Sequence, residues 1–436
     1  MDKMADDLGR AGAWCGQNKY LSAIKNAFQN FMPLTIAGAI GVLWCNVLVN
    51  ESTGLGIFFK PIMALEFLNP AFQAVNFCTI SCITVGITLG IAQEIGVWNM
   101  GAEKAGYIPG LVGLAAWLSV TNTSHMVEGA KEAFTGIAGN ELGATGLFTG
   151  MIIGVLSVEL FCFFEKQDAL KIKMPEQVPP GVARAFEVLV PATITLIITA
   201  CIGSACYNLT GLYLNDVIKN GIQGPLGAVG ATIPGVMIIY LVIMLFWLVG
   251  IHGNNMLSAV KEALFTPLAL ENVEKFNKGE KPTNIINMYF LQMCGEFGGS
   301  GVTIGLVIAI MIFGKREDNK AIASLSLVPG LFNINETVTF GIPMVLNPIL
   351  GIPFVFACLV TILVGYVLTV IGFCPVACLT VPWTTPPIVF GFLATGANVM
   401  GAVTQAILIV VSTVIYVPFL IAYERYQNKQ AAEAAE

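Results

Sequence analysis

Glu336 stands in the run LFNINETVTFGIPMVLNP at 331–348, beside Asn333 and Asn335 and ahead of Gly341, Pro343 and Pro348. The run lies between long apolar stretches, and a carboxylate at membrane depth costs at least ~2.5 kcal/mol, so such groups usually mark a substrate or ion path. A carboxylate there can accept two hydroxyl hydrogen bonds at once, bind a cation or carry a proton. The plainer alternative is a structural carboxylate paired with a buried donor. The neighbouring amides favour the first use, because Asn333 and Asn335 both donate and accept, as a neutral polyol requires. No second carboxylate falls at ligand spacing, so no metal is expected.

A second polar interruption, GIHGNN at 250–255, carries His252 between Gly250 and Gly253, followed by Asn254 and Asn255. Imidazole donates to or accepts from a hydroxyl at neutral pH, which suits a sugar or a proton relay. The competing reading is a histidine that satisfies a neighbouring carbonyl; the polar cluster around it argues for function. His125, in TNTSHMVEG, reads as external and ordinary. The segment GEFGGSGVTIG at 295–305 looks at first like a phosphate cradle, but it lacks the lysine that follows the last glycine in nucleotide-binding loops. It reads instead as a glycine-rich helix opening that packs closely or presents backbone N–H groups to substrate oxygens. Glu296, in the same segment, has no role that the sequence assigns. TVPWTTPP at 380–387 sets Trp383, Thr384 and Thr385 among prolines that exclude a continuous helix. The indole offers an apolar face to a sugar ring; an interfacial tryptophan fits equally well.

These interruptions need a frame, and composition supplies it. Of 436 residues, 56% are hydrophobic and 11% charged, against about 25% charged in ordinary soluble proteins. Apolar stretches at 31–49, 142–163, 188–206, 229–250, 301–313, 354–373 and 402–421 approach or reach the ~20 residues of a spanning helix. Strands of a barrel would alternate instead. The formal net charge of −6 comes without a basic face, so no nucleic-acid partner is expected. Eleven cysteines scatter through apolar segments without a CxxC pair and read as small buried hydrophobes.

The amino-terminal residues are polar, without the apolar core and cleavage site of a signal peptide. Leu21, Ile24, Phe28 and Phe31 share a helical face, which suggests an interfacial helix before the first span. Lysine and arginine at 164–184 place that loop in the cytoplasm, and the acidic 122–141 loop outside. Four crossings then precede residue 164, with both termini cytoplasmic and about ten spans in all. Passage through 251–285 would be broken, which is tolerated only inside protein or beside a water-filled cavity. The expected division is an interfacial segment at 1–30, a packing part at 31–184, a substrate part at 185–423 and a cytoplasmic tail at 424–436. The Pro-Pro-Gly run at 179–181 marks the boundary, and Gly38, Gly41, Gly86, Gly90 and Gly154 would let helices of the first part approach closely.

GIHGNN, GGSGVT, LFNINETVTFGIPMVLNP and PWTTPP, in this order, resemble the membrane IIC subunits of the bacterial phosphoenolpyruvate-dependent sugar phosphotransferase system, in the lactose/cellobiose/diacetylchitobiose branch. The resemblance runs from NAFQNFMPLTIAGAI at 26–40 to the last span. It implies an all-α homodimer in the cytoplasmic membrane, with ten transmembrane helices and two re-entrant hairpins. His252 and Glu336 would face the sugar, with Glu336 near the 6-hydroxyl that becomes phosphorylated. Asn333 and Asn335 would bond other hydroxyls or hold Glu336, Asn254, Gly299, Ser300 and Thr384 would line the site, and Trp383 would pack on a ring. No cofactor is bound; a phosphocysteine on a separate IIB protein supplies the phosphoryl group, itself charged by IIA. The substrate implied is a β-linked disaccharide, with diacetylchitobiose or cellobiose ahead of lactose. One position departs from the usual NINEP: Thr337 replaces the proline. The rivals are a proton-coupled secondary transporter, with His252 and Glu336 as relay, and a membrane enzyme acting on a lipid-linked sugar.

Overall fold

The computed structural model describes residues 10, 13–14, 17–51, 56, 59–125, 134–175, 177–342 and 344–433. Most of the expected 1–30 segment before residue 17, residues 126–133 of the expected external loop, Pro343 and the last three tail residues lie outside them. Helices dominate, and among the described residues six are long and apolar enough to cross a membrane, or seven when one bent pair counts as a span. A single two-stranded antiparallel pairing, Ser124–His125 with Phe134–Thr135, is the small exception to an all-helical chain among the described residues.

Two compact units emerge, one of Gln17–Gly38 with Ala74–Ala228, the other built mainly from Ala39–Gln73 with Val229–Glu436. The contact boundary therefore falls after residue 228, and the Pro-Pro-Gly run lies inside the first unit, where Pro180 starts a helix. The reason is local: proline is tolerated in the first turn, where its missing N–H has no helical partner.

α1 (Lys19–Leu43), which belongs to the first unit as far as Gly38, begins with the segment expected on the membrane surface and continues without a break into the first span. Its buried positions there are the small Ala23 and Ala27. α2 (Ile83–Met100), α3 (Ile108–Val120), α4 (Ala144–Glu165) and α5 (Pro180–Thr210) pack on one another around Trp117, Leu147 and Phe161. Close approach explains the glycines: a Cβ on Gly86 would lie 2.2 Å from the Phe31 ring, and one on Gly38 2.3 Å from Thr79 Oγ1. The helical series over Lys60–Met100, of which Ala74–Met100 belong to this unit, is a spanning candidate absent from the apolar stretches read in sequence. Gln93 and Glu94 interrupt that stretch, but Glu94 accepts from Asn26 Nδ2 at 2.9 Å, so its polarity is satisfied within the unit. At one end of α4, the buried Glu165 pairs with Lys104 at 2.8 Å and Arg184 at 3.1 Å.

The second unit is built from interrupted helices. α6 (Ile233–Leu248) stops at Gly250, whose φ of +83° suits only glycine without strain. α7 (Gly253–Met256) and α8 (Ser258–Asn277) follow, then α9 (Met288–Gly295) and α10 (Ile304–Phe313), whose combined path bends by 59° at the glycine-rich segment. α11 (Glu317–Leu331) leads to α12 (Glu336–Gly341), α13 (Gly351–Val370), α14 (Val389–Ala394) and the long α15 (Val399–Glu433), which packs along α10, α13 and α14. Residues 371–388 are non-helical, as the prolines of TVPWTTPP require.

Such backbone must find hydrogen bonds inside the protein. Two fully buried asparagines provide many of them. Asn272 accepts from the Thr283 and Asn284 N–H groups and donates to the Asn284 and Ala377 carbonyls, while Asn287 caps α9 and donates to the same Ala377 oxygen at 3.0 Å. On the GKREDNK loop, Glu424 of α15 accepts from the Lys315 and Arg316 N–H groups and from Asn319, fixing the start of α11.

Candidate functional site

His252 and Glu336 come together although 84 positions separate them in the sequence. Each sits where a helix begins: His252 is the N-cap of α7, and Glu336 opens α12. The Leu346 N–H donates to the Leu248 carbonyl at 2.8 Å and so ties the chain after α12 to the end of α6. His252 Nδ1 accepts from the Asn255 N–H at 3.2 Å. In the neutral ring the proton must then sit on Nε2, and Nε2 lies 4.0 Å from Glu336 Oε1. The buried Trp247 ring, 4.4 Å away between centroids, backs the imidazole.

That separation is too long for a direct hydrogen bond, but a hydroxyl oxygen about 2.8 Å from each atom fits off the line joining them. Both side chains remain accessible, 40% for His252 and 48% for Glu336. The pair can therefore donate to and accept from one hydroxyl at the same time.

Asn333 occupies a different position from a free ligand. Its backbone is left-handed, with φ +63°, a conformation asparagine tolerates better than most residues. Its Oδ1 accepts from the Gly298 N–H at 2.6 Å, and its Nδ2 donates to the carbonyls of Trp383 and Thr385. One amide thus joins the glycine-rich segment, the NINE turn and the PWTTPP loop. Asn335, 5% exposed, donates to the Ser300 carbonyl at 2.8 Å. Its side chain lies where a Cβ on Gly299 would stand, 2.5 Å from Asn335 Cβ, so position 299 admits only glycine. Gly299 and Ser300 are buried, whereas Trp383 presents its side chain at 45% exposure; Asn254, in α7 just after His252, and Thr384, beside Trp383, are half-buried.

Sequence reading missed a buried charged group in this unit. Lys261 of α8, 6% exposed, forms an ion pair with Glu296, which also accepts from the Tyr240 hydroxyl at 2.7 Å. The Lys261 ammonium lies 5.6 Å from the Tyr240 ring centroid. A buried charge needs such a partner, so a lysine in the polar-apolar segment 250–277 was the available signal; the partner, 35 residues on, was not.

Comparison with known proteins decides what this arrangement belongs to. The profile of the family described as Phosphotransferase system, EIIC matches residues 25–358. The chain belongs to this family. As an EIIC protein it is a multi-pass membrane component of a sugar phosphotransferase system. It is similar to the oligo-beta-mannoside-specific EIIC component of Bacillus subtilis (strain 168), 34% identical, with 100% of this chain and 96% of the relative covered. The lichenan permease IIC component of the same organism is 32% identical, covering 96% of this chain and 92% of that protein. The cellobiose-specific EIIC component of Lactococcus lactis subsp. lactis (strain IL1403) is 29% identical over 95% of this chain and 96% of its own length. Among solved structures, the transporter ChbC, the IIC component from the N,N'-diacetylchitobiose-specific phosphotransferase system, superposes with a TM-score of 0.87 at 29% identity and 97% coverage of both chains.

Proposed function

We propose that this EIIC protein carries a β-linked disaccharide inward and presents its 6-hydroxyl to a phosphorylated IIB partner. The observation that carries the reading is the His252–Glu336 pair, two accessible groups of complementary hydrogen-bonding character 4.0 Å apart at the openings of two broken helices. A sugar hydroxyl is a weak nucleophile, and a carboxylate that accepts its proton or orients it assists attack on a phosphocysteine. The bond that forms joins sugar oxygen to phosphorus and the bond that breaks is sulfur to phosphorus. Phosphorylation gives the product about two negative charges, which keeps it from recrossing hydrocarbon.

Asn333 and Asn335 act in this scheme by fixing the turn that carries Glu336, since their amides are engaged with backbone. Trp383 offers its exposed face to a sugar ring, and Asn254, Gly299, Ser300 and Thr384 complete the lining. The names of the similar proteins, β-mannoside, lichenan, cellobiose and diacetylchitobiose carriers, support a β-linked substrate, with diacetylchitobiose or cellobiose ahead of lactose. The finer architecture proposed is a homodimer of ten-span subunits with two re-entrant hairpins and cytoplasmic termini. The first half serves packing and dimerisation, and the second binds substrate. IIA and IIB are the soluble partners, and the protein itself holds no cofactor.

Uptake into vesicles of labelled diacetylchitobiose, cellobiose and lactose, with and without the phosphoenolpyruvate relay and a matching IIB, tests this. Sugar 6-phosphate should accumulate only with the relay; unmodified sugar driven by a proton gradient would instead make the protein a secondary transporter. Glu336→Gln should lower phosphorylation by about 100-fold while sugar binding changes by less than about threefold. His252→Ala should weaken binding about tenfold, the loss of one hydrogen bond to substrate. Normal activity in both variants would place the site elsewhere.

A further inference from the structure

Gln405 lies on α15, 1% exposed in the middle of the second unit. A primary amide in such surroundings must have partners, and all of those it has are backbone groups. Its Oε1 accepts from the Ile388 N–H at 2.8 Å and the Gly391 N–H at 2.7 Å, and its Nε2 donates to the Met293 carbonyl at 3.1 Å. The approach is close enough that a Cβ on Gly391 would stand 2.9 Å from Gln405 Oε1.

The two segments held by Gln405 are the two held by Asn333. Met293 lies five residues before Gly298, whose N–H binds Asn333, and Ile388 lies three residues after Thr385, whose carbonyl binds Asn333. The result is a closed ring: Asn333, Gly298 back to Met293, Gln405, Ile388 back to Thr385, and Asn333 again. Ile388 adds a second observation. Its φ is +75°, a left-handed backbone on a β-branched residue. Such a conformation persists only where the surroundings hold it, and its N–H is held by Gln405.

We propose that Gln405 is a positioning residue for sugar recognition, which sets the gap between the Gly299–Ser300 segment and the Trp383–Thr384 loop by clamping the far side of that ring. This rests on the permease reading above, which makes those two segments walls of the sugar site. Gln405 touches neither His252 nor Glu336 in this scheme. Loosening the clamp alters how well the sugar is held and leaves the phosphoryl-transfer end in place once the sugar is seated.

The test is Gln405→Met, which nearly conserves volume and removes all three bonds, measured in the full-length protein by equilibrium binding of the accepted disaccharide and by relay-driven phosphorylation. Kd and apparent KM should rise about tenfold, with kcat within about threefold of wild type. Adding Ile388→Gly should recover part of the lost affinity, because glycine adopts the left-handed backbone without a clamp. Unchanged Kd and KM would overturn the proposal. So would a fall in kcat at constant KM, a double variant no better than Gln405→Met, or less folded protein with wild-type constants in the folded fraction. Where Gln405→Met does not extract as folded protein, Gln405→Asn, too short to reach both segments, carries the same comparison. The wild-type control separates the two readings: wild type that binds sugar but yields no sugar phosphate with the relay defeats the permease reading, and Gln405 is then judged on Kd alone.

Discussion

The two units solve the burial of polar groups differently. In the first, regular helices satisfy their own backbone, so side chains are left to pack, and glycine and alanine at Gly38, Gly86 and Ala27 bring helices close. Some of its buried polar side chains are threonines that return a bond to a carbonyl four residues back, as Thr121 does to Trp117, Thr195 to Pro191 and Thr199 to Thr195. In the second unit the helices are broken, and the freed N–H and C=O groups are taken up by Asn272, Asn287, Asn333, Asn335 and Gln405. Lipid offers no partner for exposed backbone, so a chain that opens its helices to form a site must supply amide side chains in proportion. Buried amides in a membrane protein therefore mark where backbone has been released, and the accessible polar groups beside them mark what it was released for.

If that contrast is right, the largest effect should follow from Asn333→Ala. It strands the Gly298 N–H and two loop carbonyls at once, and sugar Kd should rise about 100-fold in a binding assay. A change below threefold would break the comparison, since the amide would then be dispensable to the site. Next comes Glu165→Gln in the first unit, which leaves Lys104 and Arg184 without their shared carboxylate. Stability should fall by about 2 kcal/mol in chemical denaturation, less than for a fully buried pair because Lys104 still reaches water. Sugar KM should be unchanged, and a shift in KM would show that the first unit also shapes recognition. The smallest effect is expected for Thr337→Pro, which gives the turn the NINEP pattern that the family resemblance implies. Thr337 lies in the first turn of α12, where the helix does not need its N–H. Binding and phosphorylation should stay within about threefold, and a larger change would give the turn after Glu336 a tighter tolerance than its geometry suggests.

The sequence announced much of this through cost. Glu336 and His252 stood out because polar groups among apolar runs need a reason, and the glycines and prolines around them forecast interrupted helices. The apolar lengths gave most spans, yet the Lys60–Met100 series escaped notice because Gln93 and Glu94 break its hydropathy while Asn26 satisfies Glu94 in the fold. The ion pair of Lys261 with Glu296 was hidden for a related reason: each residue alone is ambiguous, and only their approach defines a buried pair.

By itself, then, the sequence determined the solvent, the helical class and the places where helices must break, since these depend on local composition and on the cost of polar atoms in hydrocarbon. Which broken ends meet was decided only by tertiary structure. The 4.0 Å approach of His252 to Glu336, and the ring closed by Asn333 and Gln405, join residues 17 to 112 positions apart. No local preference encodes such a meeting; it follows from how helices pack and from the requirement that every opened backbone group find a partner.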